Sequence, residues 1–429
     1  MSFDYELPGH WYWSTLNDVK AEGRSVVSGP FGSNIGKRFF VESGVPVIRG
    51  NNLSLGMSRF KDDGFVYLTE DKAEEFKNCE AHPGDLLFTA AGTIGQVGII
   101  PPKGRYLKYI ISNKQLRARL NSQVIDPLFA YYWFASPDMV TAIQSRNTGS
   151  TIPLINLSVI KSLRMPVPPL GEQQQIVAHL SLIDDRIALL RETNATLEAI
   201  AQALFKSWFV DFDPVHAKQQ GIAPEGMDDA TAALFPDSFD ESELGLVPRG
   251  WKVGKLQDLL VLQRGFDLPS SDRIPGNFPI IAASGPAGTH KTAMAKAPGV
   301  VTGRSGVLGR VFLELEDYWP LNTTLWVKEF RAASACYAYE LLSLLDFASF
   351  NAGSAVPTLN RNHAHSLPYL IPSRACIDAY ESVSMKLHAR ARENRQQAQT
   401  LATLRDTLLP RLISGKLRLP EAEAMLEEA

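Results

Sequence analysis

Several features are scarce in this sequence of 429 residues, and each scarcity excludes a class of protein. Three scattered cysteines, Cys79, Cys336 and Cys376, have neither the density of a disulfide scaffold nor metal-ligand spacing, which favours a reducing compartment. No run of about 18 apolar residues occurs, and the first residues lack the basic and apolar regions of a signal peptide. We therefore expect a soluble, cytoplasmic protein with no membrane partner.

An excess of charge is also missing, because the formal net charge is −3, which argues mildly against a nucleic-acid partner. The distribution of charge is more informative. Lys103 to Arg119 holds six basic residues and no acid, and Lys386 to Arg418 holds eight basic residues against two acids. The opposite charge concentrates in Glu225 to Glu243, which holds seven acids and no base. A basic run is most often a solvated face, yet positive surface is locally available.

The most informative feature present is a long internal duplication. The segment NTGSTIPLIN, which starts at Asn147, matches NAGSAVPTLN, which starts at Asn351, at an offset of 204 residues. The offset holds for roughly sixty residues without a gap. Earlier in each half the landmarks still match, since GTIGQV at Gly92 corresponds to GVLGRV at Gly306. Each half is therefore predicted to be a variable globular domain followed by a better-matched helical segment.

Short β-rich runs alternate with Gly, Pro and Asn turns in both globular parts, and helix-like stretches intervene. From Glu172 the apolar spacing changes to a heptad repeat, in which the polar Asn194 is expected to fix the register of a helix pair. Two such helices in one chain bury their stripes most economically as an antiparallel pair, each about 57 Å long. The first series is Ile176, Leu180, Ile183, Ile187, Leu190, Leu197 and Leu204; the looser second series is Tyr380, Leu387, Ala391, Asn394, Ala398, Leu401, Leu408 and Leu412.

Three motifs resemble those of the specificity (S) subunits of type I restriction-modification systems. They are the Pro-Pro-Leu-x-Glu-Gln junction at Pro168–Gln173, the stretch Leu204–Val215 continued by Leu234–Pro236 and Gly245–Trp251, and the closing segment Leu408–Leu417. The second half departs from the pattern, because Cys376 and Ile377 stand where the first half has Glu172 and Gln173.

The resemblance implies an α+β fold with two mixed α/β target recognition domains, separated by two long antiparallel coiled-coil helices, as a pseudo-twofold internal repeat. The corresponding boundaries are 1–169 for the first recognition domain, 170–212 for the first spacer helix, 213–247 for an acidic linker, 248–373 for the second recognition domain, 374–418 for the second spacer helix and 419–429 for an acidic tail.

The resemblance also implies the partners and the division of labour. Each recognition domain would bind one half of a split, asymmetric site in double-stranded DNA, the helices would set the spacing, and two modification (methyltransferase) subunits would dock along the chain. Restriction subunits would join as the translocase and nuclease. The chain itself is expected to be non-catalytic and to hold no cofactor or metal; S-adenosylmethionine, ATP and Mg are implied for the partner subunits alone.

Recognition of bases needs Arg, Lys, Asn and Gln side chains on turns that enter the major groove, with Ser and Thr for phosphates. For each single residue ordinary surface exposure is the more frequent explanation, so the prediction concerns the group. The predicted DNA-binding residues are Ser33, Asn34, Lys37, Arg38, Arg49, Asn51, Asn52, Thr93, Gln96 and Lys114 in the first domain, and Arg264, Lys291, Arg304, Ser305, Arg310, Arg361 and Asn362 in the second.

Two further features leave alternatives open. The loops at Asn147 and Asn351 are either phosphate-binding turns, because glycine lets backbone N–H groups approach an anion, or structural turns, which we favour slightly. Trp208 and Phe209, with Phe205, either dock a modification subunit or pack the end of the helix.

Other functional classes have less support. The stretch Gly285–Thr292 resembles a phosphate loop, but His290 stands where the pattern needs glycine. His363 and His365 have no acidic or metal-ligating neighbour in sequence. The alternative to a DNA-recognition subunit is a coiled-coil scaffold that does not recognise DNA.

Overall fold

The computed structural model describes residues 6–347 and 358–421 of the chain. They form two compact units, one built from residues up to 188 together with those from 398 onward, and the other from residues 189–397. The predicted loop at Asn351 and all but the first three residues of the predicted acidic tail lie outside the described residues.

Two long helices contribute to both units, α6 (Leu170–Phe209) and α12 (Arg374–Ile413). The other elements of the first unit are the strands β1 (Tyr12–Thr15), β2 (Val26–Ser28), β3 (Val45–Ile48), β4 (Val66–Leu68), β5 (Glu80–Ala81), β6 (Leu86–Thr89), β7 (Val97–Ile99), β8 (Tyr109–Ile111), β9 (Gln115–Ala118) and β10 (Arg164–Val167), and the helices α1 (Leu16–Val19), α2 (Glu70–Glu74), α3 (Pro127–Phe134), α4 (Pro137–Gln144) and α5 (Leu157–Lys161). Short 3-10 helices span Gly32–Ile35, Lys37–Phe39, Gly50–Asn52 and Lys77–Cys79.

The second unit has a matching inventory. Its strands are β11 (Phe239–Ser242), β12 (Gly245–Pro248), β13 (Lys252–Lys255), β14 (Leu260–Arg264), β15 (Phe278–Ala282), β16 (Gly285–His290), β17 (Gly299–Gly303), β18 (Val311–Glu314), β19 (Trp319–Pro320), β20 (Thr324–Phe330) and β21 (Pro368–Ile371). Its shorter helices are α7 (Asp213–Gln219), α8 (Asp229–Ala232), α9 (Leu256–Leu259), α10 (Ala335–Leu344) and α11 (Arg361–Ser366), with a 3-10 turn at Ser270–Asp272.

The sheets of the two units are similar in topology, although the mixed sheet has four strands in the first unit and three in the second. A four-stranded antiparallel sheet has the order β2-β9-β6-β7 in the first unit and β14-β20-β17-β18 in the second. A second, mixed sheet contains one parallel pair in each unit, β3 with β8 and β15 with β19. The chain enters and leaves each domain through an antiparallel pair, β1 with β10 and β13 with β21. The predicted α+β fold and internal repeat are therefore confirmed.

Five of the seven predicted heptad positions of α6 are buried, whereas Leu197 and Leu204 are half-buried. Ile176, Leu180, Ile183, Ile187 and Leu190 are each buried. In the second unit the Asn194 amide donates a hydrogen bond to the Ala391 carbonyl at 2.9 Å, whereas the Ala201 carbonyl accepts one from the Tyr380 hydroxyl at 3.2 Å. The later residue of α6, Ala201, therefore contacts the earlier residue of α12, Tyr380. The two helices are antiparallel.

A buried polar contact joins each domain to its helix. In the first unit the Tyr132 hydroxyl of α3 donates to Asp184 of α6 at 2.7 Å, and Asp184 also pairs with Arg405 of α12 at 2.7 Å. In the second unit Glu340 of α10 lies 3.7 Å from His388 of α12, and both are buried. The two pairs stand at matching positions of the repeat, with different chemistry in each.

The two domain-to-helix junctions also differ in chemistry. Gln173 is fully buried, donates to the Val124 and Pro168 carbonyls at 3.0 and 2.8 Å, and accepts from the Asp126 backbone N–H at 2.7 Å. The Trp11 indole N–H donates to Glu172 at 2.9 Å. In the second unit Cys376 and Ile377 are fully buried instead, so an apolar junction replaces the polar one.

The segment predicted as an acidic linker is part of the second unit's core. It carries two short helices and the hairpin of β11 and β12, and its Val215 and Phe235 are buried there. Trp208 packs edge-on against Phe235 at 5.2 Å between ring centroids, and Phe209 against Tyr337 at 4.9 Å. These rings are buried, so the packing explanation for the aromatic end of α6 is confirmed.

The first unit is assembled from both ends of the sequence. After α12 the chain turns at Gly415, which has a positive φ of 73°. A Cβ at this position would lie 2.6 Å from the Pro8 ring, so glycine is required both by the turn and by the contact. The limits predicted for the domains and the linker stay predictions; the two long helices end at Phe209 and Ile413.

Candidate nucleic-acid interface

Four predicted residues of the first unit lie on one loop after β2. Ser33, Asn34, Lys37 and Arg38 are exposed on the two 3-10 turns at residues 32–39. The buried side chain of Ile35 anchors this loop to the core. The loop therefore presents two cations and two small polar groups on a fixed base.

A second loop, between β8 and β9, lies against the first. The Asn113 amide donates to the Gly32 carbonyl at 3.3 Å, and the neighbouring Lys114 is exposed. A Cβ on Gly29 would overlap the Ser112 carbonyl oxygen, so this close approach requires glycine. Lys114 thus joins the four residues of the first loop.

A cavity of about 570 Å³ separates these loops from the loop that carries the repeated Asn-x-Gly-Ser/Thr motif. Asn147 accepts hydrogen bonds from the backbone N–H groups of Gly149 and Leu154, at 2.9 and 2.8 Å. Its side chain shapes the loop, which supports the structural explanation of this motif. Ala91 forms an isolated β-bridge with Leu154, so the turn that exposes Thr93 adjoins the same group of loops.

The remaining predicted residues of the first unit are more enclosed. Gln96 is half-buried; its carbonyl oxygen accepts from Thr89 at 2.8 Å, and its amide donates to the Leu53 carbonyl at 3.1 Å. Arg49 is half-buried and Asn51 is exposed. Asn52 is fully buried, and its amide donates to the carbonyls of residues 61 and 63. Asn52 therefore holds its own loop together and presents nothing to a ligand.

In the second unit three predicted residues meet beside the turn that follows β17. The backbone N–H groups of Arg304 and Ser305 donate to the Thr323 carbonyl at 2.9 and 3.1 Å. Arg264 pairs with Asp267, whose carboxylate also accepts from Asn322 in the same loop as Thr323. Ser305 forms an isolated β-bridge with Thr358, and this bridge corresponds to the one between Ala91 and Leu154 in the first unit. The structure therefore places equivalent loops at equivalent strand ends in the two units.

The other predicted residues of the second unit are more spread out. Arg310 is exposed, and its guanidinium donates to the Ser284 carbonyl at 2.6 Å. Arg361 and Asn362 are exposed at the start of α11, near the Arg304 turn, since the Leu359 N–H donates to the Arg304 carbonyl at 2.8 Å. Lys291 lines a different cavity, of about 330 Å³, together with Lys296 and Asp317.

The sequence interpretation missed Phe31, the most exposed large apolar side chain described, at 92% of its surface. It lies between Pro30 and Gly32, immediately before the exposed residues of the first loop. A signal was present, because an aromatic residue inside a Gly-Pro-Phe-Gly-Ser turn has few ways to be buried. Aromatic and apolar side chains at DNA interfaces contact thymine methyl groups or wedge between base steps.

Residues 6–347 and 358–421 contain neither a group of metal ligands nor a membrane-spanning helix. No three His, Cys, Asp or Glu side chains there are grouped as metal ligands. No helix within these ranges combines the length and the apolar character needed to cross a bilayer.

One segment of the chain resembles a known family. Residues 37–199, which span most of the first unit and part of α6, match the family of the type I restriction modification DNA specificity domain. This segment is therefore similar to DNA specificity domains.

Two relatives extend the match over most of the chain. The type I restriction enzyme MjaIX specificity subunit of Methanocaldococcus jannaschii is 25% identical over 362 residues, which cover 79% of this chain and 78% of the relative. The type I restriction enzyme HindI specificity subunit of Haemophilus influenzae is 25% identical over 414 residues, which cover 78% and 86%. The S subunit of the type I restriction-modification system from M. genitalium shares the fold, with a TM-score of 0.56 at 17% identity, over 96% of this chain and 98% of that chain. The chain is thus similar to specificity subunits of type I restriction-modification systems, in sequence to the first two proteins and in fold to the third.

Proposed function

We propose that this chain is a type I specificity (S) subunit that recognises a split, asymmetric DNA site, one half of the site with each unit. The observation that carries the proposal is the repeated loop architecture, in which the Ala91–Leu154 and Ser305–Thr358 bridges place candidate residues at equivalent strand ends. Two copies of one scaffold suit two half-sites on one duplex.

Asymmetry of the site follows from the side chains on these equivalent loops. Gln96 of the GTIGQV turn corresponds to Arg310 of GVLGRV. Arg310 is exposed and arginine pairs well with guanine in the major groove, whereas the side chain of Gln96 is bonded within its own unit, and so the two positions contribute differently to recognition. The same backbone with different side chains predicts two unlike half-sites.

The exposed face of the long helix supports docking of modification subunits. Leu189 and Ile200 are 52% and 47% exposed, and eleven residues, about three turns, place them on the same face of α6. In the first unit Leu182 of the same helix is 71% exposed. Exposed apolar side chains on a helix whose opposite face is already buried are typical of a contact with another protein. We assign methylation, with its S-adenosylmethionine, to those partners, and ATP, Mg and cleavage to restriction subunits that join them.

A genome-wide map of methylated adenines in the host, with and without this gene, tests the proposal. Loss of a single split motif from the map is the expected result. Expression of the modification subunits in both strains must be verified by immunoblot. An unchanged map with the partners present would refute the proposal.

A coiled-coil scaffold that does not recognise DNA makes the opposite prediction in vitro. For the DNA-recognition subunit, binding to a duplex carrying the motif should weaken steeply as salt rises, because phosphate counterions are released. A duplex with one half-site scrambled should bind more weakly at every salt concentration. Equal binding to both duplexes would favour the scaffold.

A further inference from the structure

The first unit contains a second polar cavity, apart from the recognition loops. This cavity, which we call the Arg117 cavity, has a volume of about 250 Å³. Its lining combines basic and polar side chains with two acids: Arg24, Ser25, Lys77, Asn78, His82, Arg117 and Arg119, with Glu22 and Glu80. It lies at the opposite end of the β2–β9 pair from the recognition loops. Ser25 precedes β2, whereas the loop at residues 32–39 follows β2. Lys114 precedes β9, whereas Arg117 lies near the end of β9 and Arg119 follows it. The volume exceeds that of several water molecules, each of which takes about 30 Å³ in the liquid.

The buried charges around this cavity are unevenly matched. Asp85, 1% exposed, accepts two hydrogen bonds from Arg119, at 2.8 and 2.7 Å, and one from the His82 backbone N–H at 2.9 Å. The nearest guanidinium nitrogen of Arg117 is 3.8 Å from the same carboxylate. One carboxylate therefore serves two guanidinium groups, and Arg119 holds it more closely.

Arg117 is left with unused donors although it is buried. Its side chain is 4% exposed, one terminal nitrogen donates to the Arg24 carbonyl at 2.7 Å, and its Nε–H has no acceptor among the described residues. The Ser25 hydroxyl, buried on the adjacent strand end, likewise has no partner there. Burial is the main cause of a lowered pKa at Arg117, which Asp85 offsets in part. A buried, incompletely paired cation is costly unless another anion completes it.

We propose that the Arg117 cavity binds a phosphate group. Guanidinium groups present a planar set of donors that matches phosphate oxygens, and a serine hydroxyl adds a further donor. The two acids of the lining do not fill this role, because Glu80 pairs with His82 at 3.4 Å and Glu22 is exposed. Lys77 is paired outside the lining, with Glu74 at 2.8 Å. The phosphate comes either from a DNA backbone or from a free phosphate compound.

Inorganic phosphate is the probe for the full-length chain, with calorimetry and thermal unfolding at constant ionic strength and chloride as the reference anion. Phosphate should raise the unfolding midpoint of the wild type. Arg24→Gln should weaken phosphate binding about tenfold, as loss of one charged contact predicts. Lys103→Gln, the same charge change at an exposed residue outside the cavity, is the matched control and should bind like the wild type.

Ser25→Ala separates a ligand site from a merely polar cavity. Without phosphate this variant should unfold at the same or a higher temperature, because it removes a buried hydroxyl without a partner. With phosphate it should bind several-fold more weakly. Arg117→Gln is less suitable alone, because Arg117 is a buried neighbour of Asp85 and its loss can prevent folding.

Duplex DNA distinguishes the two sources, and this arm alone rests on the proposed function. If a DNA phosphate occupies the cavity, Arg24→Gln should weaken DNA binding and reduce the slope of log affinity against log salt by about one, unlike Lys103→Gln. If a free phosphate compound occupies it, DNA binding should be unchanged while phosphate still raises the unfolding midpoint. The proposal is overturned if phosphate does not alter the midpoint and Arg24→Gln matches Lys103→Gln in DNA binding.

Discussion

The side-chain amide of Asn394 donates a hydrogen bond to the amide oxygen of Asn194 at 2.9 Å, within the paired part of the two long helices. Asn194 in turn donates to the Ala391 carbonyl. Both asparagines are buried, and a shift of either helix would separate the partners. The pair therefore stabilises one register of the helices over the others.

Removing one of the two asparagines should cost more than removing both. Asn394→Leu leaves the Asn194 oxygen buried without a donor and should destabilise the second unit by about 1–3 kcal/mol. The double variant Asn194→Leu/Asn394→Leu should recover most of that loss, since leucine suits heptad positions. Thermal unfolding checks the order of stability, and light scattering detects altered association. Equal losses in the single and double variants would contradict the hydrogen-bond explanation.

Stability of the second unit should fall as Glu314 ionises. Burial raises the pKa of Glu314 to about 7 from its ordinary 4.5, Arg395 counteracts this, and Glu316 adds to it. Because the folded-state pKa is the higher one, the contribution is fully present below pH 4.5 and is lost as pH rises through about 7.

Glu314→Gln should therefore flatten the dependence of the unfolding midpoint on pH between 5 and 8 and stabilise the protein at pH 8 by roughly 1–2 kcal/mol. Glu329→Gln, at an exposed position of the same unit, provides the control. Parallel pH profiles for wild type and Glu314→Gln would show that this carboxyl is not responsible.

Phe31→Ala should weaken binding to the proposed DNA motif several-fold. Thermal stability should be unchanged, because the Phe31 side chain is 92% exposed and so contributes little to packing within the unit. Leu107→Ala is the matched control, since Leu107 is 88% exposed on another loop of the same unit. Fluorescence anisotropy with a labelled duplex measures both. Equal affinities of the two variants would remove Phe31 from the interface.

Arg310→Ala should relax recognition in one half of the motif and leave the other half intact. A bidentate arginine–guanine contact contributes about 1–3 kcal/mol of discrimination. Methylation maps of host cells carrying the variant measure the change base by base. Lys328→Ala removes an exposed cation of β20 and should leave the motif unchanged. Changes spread over both halves would argue against the assignment of one half-site to each unit.

Leu189→Glu and Ile200→Glu should each reduce co-purification of the modification subunits, because a carboxylate would be desolvated in an apolar contact. DNA binding by the isolated chain should change little. Ile222→Glu places the same charge at an exposed apolar position outside the long helices. Retention of the partners by both helix variants would move the docking surface elsewhere.

The long helices were predictable because their apolar spacing is local and regular. Ile176 to Leu190 carries this pattern in every turn, so burial of that face follows from the sequence alone. The internal repeat added the second copy and, with it, the expectation that both domains share one topology. The order of the strands does not follow from such local spacing, because pairs such as β2 with β9 join residues some ninety positions apart.

The candidate site was harder to predict because exposure depends on the tertiary structure. Lys37 and Asn52 are equally polar, yet Lys37 is exposed whereas Asn52 is buried and satisfies three backbone groups of its own loop. The acidic composition of residues 213–247 likewise concealed Val215 and Phe235, two apolar residues that are buried in the core of the second unit. The composition of a segment describes its average polarity, whereas its packing depends on a few individual apolar residues.

The contact between Gly415 and Pro8 has a consequence for biosynthesis. During translation, residues 189–397 emerge from the ribosome as one continuous stretch and can fold while synthesis proceeds. The first unit, by contrast, is complete only after the residues from 398 onward have been synthesised. A nonsense mutation anywhere before residue 398 would thus leave the earliest-made part of the polypeptide unfinished, although every codon for that part had been translated.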